Sequence, residues 1–172
     1  MSRLVGKIAV VTGSGGGIGQ SVAELFAAEG AHVYIADVDG AAADTAASAI
    51  TARGGVATAI ACDVTRGQDV TALIRTLETK HGKADVVVNN AGINVRADFR
   101  HLTDEECVRL REVNLDGVVR IARDAFPLLK AAGSGSLINI ASIMGHRGLR
   151  QLAAYSATKG AVAALTRAVS VE

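Results

Sequence analysis

Apolar positions follow two alternating rhythms along the 172-residue chain. Short runs dominated by Val, Ile and Ala occupy Lys7–Thr12 (KIAVVT), His32–Asp37 (HVYIAD), Val56–Ala61 (VATAIA), Ala84–Asn89 (ADVVVN) and Ser136–Ala141 (SLINIA). Their length and β-branched content read as five strands. Most are apolar on both faces, as parallel strands are when helices cover both sides of a sheet. Between them lie longer stretches of helical periodicity at Gly17–Glu29, Ala41–Arg53, Gln68–His81, Thr103–Lys130 and Ala153–Glu172. Strand alternating with helix predicts an α/β, doubly wound parallel sheet in three α/β/α layers.

Punctuation agrees with this reading. Thr103-Asp104-Glu105-Glu106 has the form of a capping box, with Thr103 as N-cap and Glu106 reaching back to it. Gly54-Gly55 and Gly133-Ser134-Gly135 are turns that return the chain to the sheet. No repeat, low-complexity segment or linker interrupts residues 1–172, so a single domain is expected. The final helical stretch runs to Glu172 without a stop signal.

Composition narrows the chemistry. Trp is absent and only five residues are Phe or Tyr, so the core must be built from Ala, Val, Ile and Leu. The net charge is +1 with no basic run, which leaves no field for nucleic acid. No apolar run approaches the roughly 18 residues of a membrane span. Cys62 and Cys107 are isolated and lack metal-ligand spacing, as expected of plain thiols in a reducing compartment. These features predict a cytoplasmic protein without a metal, a nucleic-acid partner or a membrane anchor.

The first strand runs directly into Gly13-Ser14-Gly15-Gly16-Gly17-Ile18-Gly19 and then into a helix. A dinucleotide pyrophosphate needs backbone N–H groups at a helix N-terminus with no Cβ in the way. The spacing is G-x-x-x-G-x-G over Gly13, Gly17 and Gly19, and not the general G-x-G-x-x-G. Asp37 closes the second strand 18 residues after Gly19. A carboxylate there can accept from ribose hydroxyls and repels a 2′-phosphate. With Val38 next to it and no Lys or Arg in the glycine loop, the sequence favours NAD over NADP. A Rossmann-type nucleotide fold is the expectation.

Tyr155 and Lys159 stand four residues apart on a predicted helix and so share a face. A phenol with an ordinary pKa of about 10 is a poor base at neutral pH, and a nearby ammonium favours the phenolate. Thirteen residues upstream, Ser142 is expected to end the fifth strand, at the carboxyl edge where such sheets bind ligands. Its hydroxyl can hold a substrate oxygen beside the tyrosine.

Together these residues resemble the short-chain dehydrogenase/reductase family in its single-domain form. Thr12-Gly13-x-x-x-Gly17-Ile18-Gly19 resembles the cofactor loop of that family, Asp63-Val64 the pair that meets the adenine, and Asn89-Asn90-Ala91-Gly92 the motif that borders the adenosine. Asn114 resembles the helix asparagine that holds a relay water, and Ser142, Tyr155 and Lys159 match the active-site positions. The resemblance implies hydride transfer between NAD and a secondary alcohol or ketone. It gives Tyr155 as general acid or base, Lys159 as the group lowering its pKa and holding the nicotinamide ribose, Ser142 polarising the carbonyl, and Asn114 linking Lys159 to solvent. The implied cofactor contacts are Gly13, Ser14, Gly17, Ile18, Gly19, Asp37, Asp63, Val64, Asn90, Ala91, Gly92, Tyr155 and Lys159. It also implies a homodimer or homotetramer pairing Thr103–Lys130 and Ala153–Glu172 across an axis.

The family usually continues into a sixth and seventh strand and a loop that closes over substrate. The chain is therefore expected to lack these, leaving the fifth strand as an open apolar edge. It would be part of a longer enzyme, or a short protein completed by association. A non-catalytic NAD-binding or dimerising fragment is the rival reading, opposed by the intact set Asn114, Ser142, Tyr155 and Lys159. Asn94, Arg96, His146, Arg147 and Arg150 flank the expected substrate pocket, either as ligands for hydroxyl or carboxylate groups or as solvated loop residues.

Overall fold

The computed structural model describes residues 2–172, whose five strands all run parallel in one sheet. β1 (Ile8–Thr12), β2 (His32–Asp37), β3 (Val56–Ala61), β4 (Val86–Asn89) and β5 (Ser136–Asn139) take the order β3-β2-β1-β4-β5. The chain steps outward from β1 to β3, then returns to place β4 on the other flank of β1. The direction of winding thus reverses between β1 and β4, and a crevice opens at the carboxyl ends there.

Alternation along each strand sends side chains to two separate cores. From β1, Ile8 and Val10 join Leu73, Leu77, Ile121 and Leu128, contributed by α3 (Gly67–His81) and α5 (Gly117–Ala131). Ala9 and Val11 join Ala23, Ala27, Ala46 and Ile50 from α1 (Gly17–Ala28) and α2 (Gly40–Ala52). Both faces are covered, which is why the strands carry no polar alternation. Each Val or Leu buried this way contributes roughly 1.5–3 kcal/mol.

β2 and β3 have the predicted bounds, while β4 and β5 are shorter. Ala84 and Asp85 precede β4 because the Asp85 carboxylate serves as a staple between strands. It accepts from the Ile8 amide at 2.9 Å, Lys7 Nζ at 3.0 Å and Lys83 Nζ at 2.9 Å. Burial pushes the Asp85 carboxyl upward, but these donors outweigh it and hold its pKa below the ordinary value. β5 ends at Asn139, so Ser142 lies beyond the strand and caps a short 3₁₀ turn over Ile143–Gly145.

The long predicted helix Thr103–Lys130 is divided. The capping box forms as expected and starts α4 (Asp104–Arg111). The chain then widens into a π turn at Glu112–Asp116, where the Gly117 amide donates to the Glu112 carbonyl, before α5 begins. Apolar periodicity continues through this turn, so it does not interrupt the helical pattern in sequence. α6 (Ala153–Val169) stops short of Glu172 at a Ser170 cap. β5 forms one edge of the sheet, with Ile138 38% exposed. Among the described residues no helix is long and apolar enough to cross a membrane.

Candidate active site

A cleft of about 930 Å³ occupies the crevice at the reversal point. One end is formed by Gly13, Gly16, Ile18, Asp37 and Val38, the middle by Asp63, Val64, Asn90, Ala91 and Gly92, and the other end by Ser142, Tyr155 and Lys159. Its volume falls at the upper part of the range of small-molecule and cofactor sites.

The glycine loop is built for close approach. Gly13 has a φ of +61°, and a Cβ there would lie 2.7 Å from the Ala91 Cα. Gly16 is extended, and a Cβ on it would meet nothing within 4 Å, so the space it faces is open. α1 begins after Gly16 with no side-chain cap. Its first N–H groups therefore point outward unpaired, with the positive end of the helix dipole behind them. Ser14, by contrast, is fully buried and donates its hydroxyl to the Val11 carbonyl at 2.6 Å, so its side chain shapes the turn from inside. Gly19 is also buried behind the loop, while Gly17 is exposed with open space where a Cβ would stand, and neither lines the cleft.

Asp37 is held at the end of β2 by two backbone donors, the Gly15 amide at 2.9 Å on Oδ2 and the Asp39 amide at 3.0 Å on Oδ1. Each oxygen keeps a free lone pair toward the cleft. Asp63 accepts both the amide and the hydroxyl of Thr65 on Oδ1, at 2.9 and 2.7 Å. Beside it, burial, then Asp69 and Asp63, push the Cys62 thiol up to about 11, so it is protonated and unreactive at neutral pH.

Thr12 and Asn90 join the glycine loop to the end of β4. Thr12 Oγ1 accepts the Asn90 and Ala91 amides, each at 3.1 Å. Asn90 Nδ2 donates to the Thr12 and Gly13 carbonyls at 2.9 and 2.8 Å. Asn90 is thus a brace whose side chain positions the loop, a role its place in the motif did not reveal.

At the far end, Lys159 is only 4% exposed and donates to the Ile140 carbonyl at 2.7 Å. Burial lowers its pKa below that of a free lysine. Asn114 is fully buried in the π turn; its Oδ1 accepts the Ile93 amide at 2.8 Å, and its Nδ2 donates to the Ile93 carbonyl at 2.9 Å and Thr158 Oγ1 at 3.2 Å. Thr158 in turn donates to the Tyr155 carbonyl at 2.8 Å. Asn114 therefore clamps the turn after β4 to α6, and it stands behind the cleft wall. A Cβ on Gly92 would lie 3.3 Å from Asn114 Oδ1 and 3.5 Å from Lys159 Nζ, so the bare glycine keeps a gap open between them. Ser142 Oγ accepts the Met144 amide at 3.1 Å, which fixes it at the cleft wall.

Sequence reasoning missed Thr158, and it gave Thr12 only as the start of the glycine-loop motif, without its role as a brace to Asn90 and Ala91. Thr158 sits between Tyr155 and Lys159 on one helix turn, and a mid-helix threonine bonding back to the i−3 carbonyl was a recoverable signal.

Comparison with known proteins agrees with this geometry. Residues 7–172 match the family model described as short chain dehydrogenase. The chain belongs to the short-chain dehydrogenase family. It is 37% identical to a galactitol 2-dehydrogenase of Agrobacterium fabrum over 98% of its length, and 39% identical to an L-fucose dehydrogenase of Oryctolagus cuniculus over 99%. It spans 65% and 59% of those two proteins. A crystal structure of a short chain dehydrogenase from Mycobacterium smegmatis superimposes with a TM-score of 0.94 at 35% identity, covering 99% of this chain and 72% of that one. Membership in the short-chain dehydrogenases implies a nicotinamide dinucleotide, NAD or NADP. The residues fit such a group: the open space at Gly16, the uncapped α1 N-terminus and the doubly held Asp37 line one continuous cleft with Tyr155 and Lys159.

Proposed function

We propose that this chain carries the cofactor site and catalytic groups of an NAD-dependent oxidoreductase that interconverts a secondary alcohol and a ketone. The observation that carries the reading is the single cleft running from Asp37 past the glycine loop to Ser142, Tyr155 and Lys159. The nicotinamide cofactor, when bound, supplies or accepts the hydride. The backbone N–H groups at the start of α1 hold its pyrophosphate, and Asp37 accepts from the adenosine ribose hydroxyls while rejecting a 2′-phosphate. Asp63, Val64, Ala91 and Gly92 border the adenosine.

Tyr155 exchanges a proton with the substrate oxygen, as acid in reduction and base in oxidation. Ser142 donates a hydrogen bond to that same oxygen. Lys159 stabilises the phenolate and bonds the nicotinamide ribose. Burial lowers its pKa, and the gap left by Gly92 gives its Nζ a side that faces Asn114. The names of the two relatives, a galactitol 2-dehydrogenase and an L-fucose dehydrogenase, support a polyol or sugar as the substrate. Exposed Val108, Val119 and Phe126 on α4 and α5 support pairing of these helices in a homodimer or homotetramer. A single monomeric species in sedimentation would remove that part of the reading.

The test is fluorescence titration of the chain with NADH and NADPH, alongside Asp37→Ala. NADH binding well ahead of NADPH, with the preference lost in the variant, is expected. Equal binding of both by the unaltered chain would overturn the assignment of NAD.

A further inference from the structure

Two loops meet over the Tyr155 end of the cleft. The first leaves β4 through Ile93 and Asn94, both in the cleft wall, and reaches Ala97. The second leaves Ser142 and reaches Gln151, four residues before Tyr155. They are tied where the Ala97 amide donates to the Gln151 carbonyl at 3.2 Å. Gln151 is the one described non-glycine residue with positive φ, at 66°. A left-handed backbone at a residue with a Cβ is unfavourable and persists where its surroundings hold it. Here the tie and the buried Leu152 hold it, so the loops close a defined rim and are not independent tails.

The charge on those two loops is one-sided, while the adjoining cleft wall carries a cation and a carboxylate, Arg109 and Glu112. Residues 93–97 and 142–151 contain Arg96, Arg147 and Arg150, together with His146, and no carboxylate. All three arginines are exposed, and none takes part in an ion pair among the described residues. Just outside the tie, Asp98 is already paired with Arg100 at 3.4 Å. On the first turn of α4, Glu106 accepts the Thr103 amide in the capping box. Asp104 and Glu105 flank it on the same turn. The whole chain has a net charge of +1, so three uncompensated cations in 15 residues leave the other 157 residues with a net charge of −2.

Unpaired guanidinium groups on loops that rise from a cleft wall attract and orient carboxylate or phosphate oxygens, which they bind in a forked geometry. From this we infer that the substrate is anionic: a polyol or sugar bearing a carboxylate or phosphate, with the anion on the Arg96–Arg147–Arg150 rim and the alcohol carbon at Tyr155. This rests on the proposed function for the reaction, but not for the binding of the anion.

The test uses three probes on one carbon skeleton: galactitol, galactonate and galactitol 1-phosphate. Binding to the chain is followed by amide NMR shifts in residues 93–101 and 143–152, and NADH binding is measured separately by fluorescence. Galactonate or the phosphate should bind about tenfold tighter than galactitol at low salt, as a few exposed charge contacts allow. The gap should shrink as salt approaches 0.15 M and the screening length falls to about 8 Å. Arg147→Glu/Arg150→Glu should abolish the preference while NADH binding and Tm are retained. Whichever of the two anions gains more identifies the group. Equal binding of all three probes, or a preference untouched by the double variant, overturns the inference. Loss of NADH affinity in the double variant would also overturn it, by assigning the rim to the cofactor. Failure of the unaltered chain to bind NADH would count against the proposed function alone, because the NMR arm still decides the anion.

Discussion

Gly19 and Gly16 lie three residues apart in one loop, and the structure assigns them opposite jobs that alanine separates. A Cβ at Gly19 would sit 2.5 Å from Asn90 Nδ2 and 2.9 Å from the Ser14 Cα, pressed on the Gly13 carbonyl. Real Cβ atoms essentially never approach closer than 3.0 Å, so Asn90 or the start of α1 must retreat by about half an ångström or more. Neither can retreat cheaply. Asn90 is fixed by bonds to the Thr12 and Gly13 carbonyls, and Gly13 is held in a left-handed conformation against Ala91. Losing both bonds costs about 2 kcal/mol at roughly 1 kcal/mol each. Overpacking adds about 1–3 kcal/mol. The sum of about 3–5 kcal/mol corresponds to a fall in Tm of about 6–20 °C for a chain of this size. Gly16→Ala meets no atom, and its backbone is extended, so it should cost no more than about 1 kcal/mol as a poorer cap. Its Cβ instead fills the space in front of the α1 amides. Thermal unfolding by circular dichroism and NADH titration of both variants form the assay. Gly19→Ala should unfold early; Gly16→Ala should unfold normally and bind NADH at least tenfold more weakly. A Gly19→Ala variant as stable as the parent, or a Gly16→Ala variant with full NADH affinity, would refute the division of roles.

Gly92→Ala should close the gap between Asn114 Oδ1 and Lys159 Nζ; it is expected to lower kcat more than it raises KM, with Tm nearly unchanged, in steady-state assays with the substrate found. Lys159→Met removes an ammonium that burial disfavours, so its Tm should not fall even as activity is lost; a clear drop would mean that the bond to the Ile140 carbonyl outweighs the burial cost. At the opposite end of the sheet, the Tyr34 hydroxyl lies 2.8 Å from His81 Nε2, and His32 stacks on Tyr34. Burial first, then neighbouring positive groups, lowers the pKa of both histidines. The unfolded chain then binds more protons just below pH 6.5, so stability should rise with pH through that window, and His81→Gln should flatten the rise in Tm measured from pH 5 to 7.5. Asp85→Asn, which keeps the shape but loses the charge shared with Lys7 and Lys83, should lower Tm at pH 7 and reduce the loss of stability on acidification below pH 4.

The order of the elements was legible because both of its signals are local. A short β-branched run apolar on both faces reads as a strand covered by helices on both sides, and the glycines from Gly13 to Gly19 mark the turn from such a strand into a helix. The Tyr155–Lys159 pairing was legible for a different reason: the two residues are tied by helix period alone, and both line the cleft. What escaped was set by contacts distant in sequence. The π turn at Glu112–Asp116 leaves the apolar rhythm intact, and its cause is across the cleft. There Asn114 must meet the Ile93 backbone and Thr158 together, contacts 21 and 44 residues away.

That same contact set changes how the Tyr155 end of the cleft is understood. Asn114 has both amide hydrogens and one oxygen lone pair committed, so its side chain works first as a clamp. It joins the segment after β4 to α6, and through Thr158 it reaches the carbonyl of Tyr155 itself. Lys159 is anchored from the other side, on the Ile140 carbonyl just beyond β5. The proposed acid–base pair is therefore suspended between the ends of two adjacent strands, and any change in the spacing of β4 and β5 is transmitted to it. Asn89 crosses that gap, donating to Asn139 at 2.9 Å. Rigidity at these two strand ends thus bears directly on the proposed acid–base pair, and a polar residue that never faces the cleft helps to position the tyrosine.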